Sequence, residues 1–286
     1  MKNTFKEFLK TYPNEDACLD KLFQIKYSKL KACPKCGVVD AKFSRVKGRR
    51  SYWCEECNYQ LYPTVGTVFE KTTTPLIYWF YAIYQMTVTR NGVSAKELQR
   101  ATGVTYKTAW RMANHIRLLM GQPSIRKKEM FDGIVEVDET FVGGKVTKES
   151  KLKMKDKIPV MAIVQRNGKA VAYQIPDTKS YVLLHNVTHT VKPDTKVMTD
   201  EYNAYKNLEK LGYKHGFVKH SMKQFGKGEI HTNTVEGFFS ILKRTIEGTY
   251  IYVSPKYLQH YVDEVTFRYN YRNQQDEMFD TILKRA

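Results

Sequence analysis

Residues Ile134–Gly144 read IVEVDETFVGG, and the reading of this stretch decides the fold. Val135 and Val137 alternate with Glu136 and Asp138. That period of two predicts a β-strand, closed by the Gly pair. On such a strand Glu136 and Asp138 share one face and Glu139 points to the other. Working outward, IPVMAIVQ and AVAYQIP flank Asn167-Gly168, which predicts a hairpin. A helix is expected around Ser180–Thr190. TKVMTD is a short strand ending at Asp200, EYNAYKNLEKLG is a helix stopped by Gly212, and HGFVKH is another strand. In IHTNTVEGFFSILKR (230–244) and the residues after it, Val235, Phe239, Leu242 and Ile246 recur at helical spacing. Ser254–Arg272 supplies a last long helix.

Three antiparallel strands, a helix, a strand, a helix, a strand and then helices is the element order of an RNase H-like α/β domain. It is expected over residues 130–250, with a C-terminal helical extension over 251–286. In that sheet the first and fourth strands are neighbours, so Asp138 and Asp200 converge, and Glu236 rides on a helix packed beside them. Glu236 also has a local explanation. Asn233 followed three residues later by Glu is a capping-box pattern, and an acid suits the positive end of a helix. Three converging carboxylates suit a different task, phosphodiester cleavage and strand transfer assisted by two Mg²⁺ (or Mn²⁺) ions. Lys243, two turns below Glu236, is placed to meet a DNA phosphate. Glu136, Glu139 and Glu201 are competing acids. His231 is a supporting or DNA-contacting group, and Gly237 a point of close approach.

Upstream, CPKCG (33–37) and CEECN (54–58) are two Cys-x-x-Cys knuckles separated by 17 residues. Cys33, Cys36, Cys54 and Cys57 therefore predict one structural Zn²⁺ with a closed coordination shell, in a zinc ribbon over residues 31–70. RVKGRRSYW between the knuckles reads as a hairpin carrying Lys47, Arg49 and Arg50, which are candidates to touch DNA phosphates or else form a solvated face. An N-terminal helical segment precedes it (1–30), with Cys18 as a small buried apolar residue. Over 71–122, one helix is capped by Thr74 and opened by Pro75. Ser94 and Glu97 form a capping box, Ala95, Leu98 and Ala101 face inward, Gly103 turns the chain and Thr105 caps the next helix. That is a helix-turn-helix signature, with Tyr106, Lys107, Thr108 and Arg111 as its DNA-reading candidates.

The chain has 286 residues and a formal charge of +18, of which residues 1–125 carry +11 and the remainder +7. A positive field spread over both halves points to a polyanionic partner. No apolar run approaches a membrane span, and the N-terminus lacks the apolar core of a signal peptide, so a cytoplasmic, nucleoid-associated protein is expected.

VDETFVGGK, TDEYNAY, HTNTVEGFFSILKR and SPKYLQHYVDEVTFRYNYR, with the cysteine pairs and SAKELQRATGVTYKTAWRM, resemble bacterial insertion-sequence transposases related to the Merlin superfamily (ISXO type). The 35 residues between Asp200 and Glu236 resemble the D,D-35-E spacing of retroviral integrases and many transposases. The resemblance implies an enzyme that binds terminal inverted repeats of double-stranded DNA as a dimer or larger assembly, cuts the element ends and joins them to target DNA. It makes Asp138, Asp200 and Glu236 the catalytic acids, holding two Mg²⁺, with Asn233 as the alternative third member, and Lys243 the accessory lysine. A domesticated DNA-binding regulator and an RNase H-like nuclease are the alternatives.

Overall fold

The computed structural model describes residues 4–121, 130–143, 157–218 and 229–286. Most of the basic loop expected at 145–157 and the end of the HGFVKH strand lie outside the described residues. The chain forms two compact units, one of Met1–Leu119 with Gln274–Ala286 and one of Met120–Asn273. No described helix is long and apolar enough to cross a membrane.

In the first unit, helices α1 (Phe5–Thr11) and α2 (Glu15–Tyr27) are capped by the side chains of Thr4 and Asn14. Cys18 is buried in α2, and burial pushes its thiol up to about 12. Three short antiparallel strands follow in the order β1-β2-β3: β1 (Phe43–Arg45), β2 (Tyr52–Cys54) and β3 (Gln60–Leu61). Then come α3 (Leu76–Val88), α4 (Ala95–Thr102) and α5 (Tyr106–Met120). The expected capping box of Ser94 and Glu97 opens α4, and Gly103 leaves it at φ +72°, a left-handed angle that suits glycine. Thr105 accepts the Thr108 amide at the start of α5 (3.3 Å). Of the three residues expected to face inward, only Leu98 is fully buried, and Ala101 is exposed. The short helix is rolled so that the side chain with the most apolar area sits deepest. The last helix, α9 (Met278–Arg285), belongs to this unit, where Phe279 packs against Tyr12 and Phe80 at ring separations of 5.5 and 5.9 Å.

The expected Thr74 cap of α3 is absent. Pro75 takes the cap position, and the free Leu76 amide donates to Oε2 of Glu15, 61 residues upstream (2.6 Å). Oε1 of Glu15 accepts from Arg50 Nε (2.9 Å), and Arg50 donates further to the carbonyls of Thr72 and Thr74 (2.8 and 3.2 Å). One carboxylate thus ties α2, the hairpin after β1 and the start of α3 together. Glu15→Ala is expected to cost about 1–2 kcal/mol, since a cap and a partly solvated ion pair are lost together. A denaturant titration should show a lower midpoint at unchanged slope.

The second unit is built on a five-stranded mixed sheet in the order β6-β5-β4-β7-β8. Its strands are β4 (Ile134–Val142), β5 (Ile158–Gln165), β6 (Ala170–Gln174), β7 (Lys196–Asp200) and β8 (Lys214–Val218). The first three are antiparallel, and β7 and β8 run parallel to β4. In the β5–β6 turn Asn167 alone takes the left-handed angle (φ +57°), closed by a bond from the Gly168 amide to the Gln165 carbonyl (3.0 Å). Helix α6 (Ser180–Thr190) covers one face, where Val135, Val137, Met161 and Ile163 meet Leu183 and Val187. Helices α7 (Asn233–Thr245) and α8 (Leu258–Asn270) cover the other. Ala162, Ala170 and Ala172 there leave room for Val235, Phe238, Phe239 and Leu242. The expected stripe of Val235, Phe239, Leu242 and Ile246 is buried throughout.

The helix expected at 201–212 is replaced by two 3-10 turns, Asn203–Tyr205 and Glu209–Leu211. Asp200 accepts the Tyr202 amide in a tight Asx turn (3.0 Å), and Ala204, Tyr205 and Leu208 are drawn into the core on the α6 face.

Candidate active site and metal centre

The two cysteine knuckles fold alike. In each, the amide of the residue after the second Cys returns to the carbonyl of the first: Gly37 to Cys33 and Asn58 to Cys54, both at 2.9 Å. Gly37 and Asn58 both take left-handed angles, φ +73° and +59°, which glycine and asparagine tolerate best. All four Sγ atoms lie within 4.8 Å of one another, with Cys33–Cys57 at 3.7 Å and Cys36–Cys54 at 4.0 Å. A tetrahedron of thiolates at the usual zinc–sulfur length of about 2.3 Å has edges near 3.8 Å. The four thiolates therefore fit one structural zinc and leave no position for a substrate.

In the second unit the strand register brings two acids level. β4 and β7 pair in parallel through Glu136 and Met198, and two residues further on come Asp138 and Asp200. Asp138 pairs across the sheet with Ala162, so it lies on the α7 face. Burial pushes the Asp138 carboxyl up to about 7. The bond it accepts from the Glu139 amide (2.8 Å) opposes this, the charges of Asp200 and Glu236 add to the rise, and Lys243 pulls it back. Asp138 thus sits within electrostatic reach of all three partners proposed from sequence. Glu236 and Lys243 are exposed on α7, and Glu236 Oε1 accepts the Thr232 hydroxyl (2.8 Å). Asn233 is exposed at the first position of that helix. Gly237 has open space where a Cβ would be, so internal packing does not explain a glycine there.

The competing acids separate by environment. Glu139 points to the α6 face, where it accepts from the Tyr205 hydroxyl, and burial pushes it up to about 8. Glu201 is exposed beyond the end of β7. Glu136 has a fully buried side chain and caps the start of α7 in place of Asn233, which is the first helical residue and not the cap. Its Oε2 accepts the Thr234 and Val235 amides (2.7 and 3.0 Å), and its Oε1 accepts the Thr234 hydroxyl and Arg166 Nε (2.9 and 2.5 Å). Arg166 Nη2 also donates to the His231 carbonyl (2.9 Å), and His231 Nδ1 lies 3.3 Å from Glu136. Arg166, Tyr205 and Thr232 were not expected from the sequence. For Arg166 a signal existed, because the hairpin placed it at the turn adjoining the first strand. For Tyr205 there was none.

The raised carboxyls set a pH dependence. Asp138 and Glu139 hold their protons more tightly folded than unfolded. Their contribution to stability is therefore complete below about pH 4 and is lost as pH rises through 7 and 8. A tenfold change in proton affinity is worth about 1.4 kcal/mol, so the metal-free chain should lose a few kcal/mol between about pH 5 and 8. Added Mg²⁺ should restore more of the Tm at pH 8 than at pH 5. A Tm that is flat with pH in metal-free buffer would contradict the burial of these acids.

Among the candidate DNA contacts, Lys47, Arg49, Tyr106, Lys107 and Arg111 are exposed, and Thr108 is partly buried against Thr105. Arg50 is committed within the fold, and Arg111 is exposed but also tethered to it. Arg50 serves Glu15 and two carbonyls, and Arg111 donates to Thr74 Oγ1 (3.3 Å) and lies over the Trp79 ring.

The chain matches two family models. Residues 130–270 match the ISXO2-like transposase domain and residues 13–60 the transposase zinc-ribbon domain. It is 26% identical over 256 residues to an uncharacterized protein in transposable element ISH50 of Halobacterium salinarum, covering 82% of this chain and 84% of that one. It is also 26% identical over 102 residues to an uncharacterized transposase-like protein of Haemophilus influenzae, covering 36% of this chain and 81% of that one.

Proposed function

As this chain belongs to the ISXO2-like transposases with an N-terminal zinc ribbon, we propose that it is a DDE-type enzyme that cleaves the ends of its own insertion sequence and joins them to target DNA. The observation that carries this reading is the placement of Asp138 on the α7 face of β4, level with Asp200 through the parallel β4–β7 pairing and within electrostatic reach of Glu236 and Lys243 on α7. The sheet order β6-β5-β4-β7-β8, with helices on both faces, supports an RNase H-like fold for the unit.

Asp138, Asp200 and Glu236 supply the hard oxygen donors that Mg²⁺ or Mn²⁺ prefers, and their mutual repulsion suits a site completed by cations. Two such ions, when bound, activate a water or 3′-hydroxyl and stabilise the leaving oxygen. Lys243 offers a positive charge to a DNA phosphate from the exposed face of α7, and open Gly237 lets the backbone come close to Glu236. Lys47, Arg49, Tyr106, Lys107, Thr108 and Arg111 are the proposed contacts to double-stranded DNA, with α4 and α5 acting as a helix-turn-helix. Arg50 acts by holding the hairpin between the knuckles in place. We assign the working form to a dimer or larger assembly on paired DNA ends, in the cytoplasm.

The test is incubation of the full chain with duplexes bearing the element's terminal inverted repeats, a target plasmid and Mg²⁺. Cleaved ends joined to the plasmid are expected. Cleavage without joining would make the protein a nuclease, and binding without cleavage a regulator.

A further inference from the structure

We propose that Glu136 is a positioning residue, clamping the first turn of α7 to strand β4 so that the two elements carrying Asp138 and Glu236 stay together when a divalent cation draws those acids in. The inference rests on the transposase reading of this site. Glu136 lies two residues before Asp138 on the same strand face. The amides it accepts, Thr234 and Val235, immediately precede Glu236. One buried carboxylate therefore links the two backbones that carry the proposed ligands. β4 is paired on both edges, with β5 and β7, so the anchored end of the clamp is rigid.

A helix does not need a carboxylate from 98 residues away merely to be capped. Thr232 occupies the N-cap position of α7, where its hydroxyl could accept a helix amide. Instead the hydroxyl donates to Glu236 (2.8 Å), and the amides are left to Glu136. The side chain of Glu136 is 0% exposed, and an ion buried so deeply is costly unless paired. Arg166, the two amides and the positive end of α7 all compensate it. Asp138 and Glu236 repel one another when no cation lies between them. A fixed link between their elements keeps that repulsion from opening the site. Outer groups of this kind orient the ligands, and their loss typically lowers metal affinity about 10–100-fold.

The test is a Mn²⁺ titration of the full chain followed by electron paramagnetic resonance, with thermal melts alongside. Glu136→Gln is compared with Glu264→Gln. Glu264 is also 0% exposed and is paired with Arg268 and the Tyr250 hydroxyl (2.7 Å), but it lies on α8, away from the start of α7. Both variants should lose stability. Only Glu136→Gln should weaken Mn²⁺ binding, by about 10–100-fold. Equal Mn²⁺ affinities in the two variants would reduce Glu136 to a structural cap and overturn the proposal. Should Glu136→Gln not fold, Thr234→Val, which removes one hydroxyl donor from the clamp, carries the test. Weakened Mn²⁺ binding supports the proposal, and unchanged binding overturns it. If the wild-type chain binds no Mn²⁺ that Asp138→Asn removes, the metal-site reading itself fails and this inference falls with it.

Discussion

Asp138→Asn is expected to lower DNA cleavage and joining by about a thousandfold or more while raising the melting temperature of the metal-free chain. The two effects share one cause. Removing the charge deletes a hard oxygen ligand, and interactions of several kcal/mol in the transition state correspond to losses of this size. The same change relieves a carboxylate that burial, Asp200 and Glu236 all disfavour. Binding of terminal-repeat DNA should persist, because the proposed contacts lie on other elements. Gel-shift, strand-transfer and differential scanning measurements on one preparation separate these outcomes. Retained strand transfer would reject Asp138 as a catalytic acid. Lost strand transfer with a lowered Tm would mean that Asp138 holds the fold, contrary to its raised carboxyl.

Removal of zinc, by chelation or by Cys54→Ser, should unfold the ribbon. Its three strands have three, three and two residues, too little sheet to persist alone. Structural zinc sites contribute about 10–16 kcal/mol of apparent binding free energy, most of which is folding free energy. The loss should not stop at the ribbon. Arg50, in the hairpin between the knuckles, holds Glu15 and the carbonyls of Thr72 and Thr74, so α3 should lose part of its N-terminal anchorage. Hydrogen exchange should show protection lost first across residues 33–61 and then weakened at Leu76, with restoration on added Zn²⁺. Unchanged protection after complete chelation would show that the thiols need no metal.

Elements with strong local signals were legible in the sequence. The alternation around Val135 and Val137, the hairpin at Asn167, the Ser94–Glu97 box, the Gly103 turn and the buried stripe of α7 all depend on residues a few positions apart. The cysteine spacing was legible because two knuckles of identical turn geometry leave the thiolates few other ways to meet. Local reasoning failed where a distant side chain outcompeted a nearby one. Thr74 and Asn233 are sound local caps, yet Glu15 and Glu136 hold those helix starts, because a full negative charge beside the helix dipole and an arginine is the stronger acceptor. Tyr205 broke the helix expected after Asp200 for a similar reason. Its hydroxyl is turned toward Glu139 in the core.

Sequence alone determined the inventory: a four-thiolate zinc centre, the strand order of an α/β unit with its helices other than the one expected after Asp200, and three widely spaced acids with a lysine. Only the tertiary structure decided where each acid sits. Asp138 and Asp200 stand level because β4 and β7 pair in parallel, Glu139 is turned to the opposite face, and Glu136 is buried against Arg166 and the start of α7. Spacing along a chain fixes which face of a strand or helix a side chain takes. Register between strands and the burial of each carboxyl are set by contacts dozens of residues apart, and those contacts distinguish a candidate ligand from a cap.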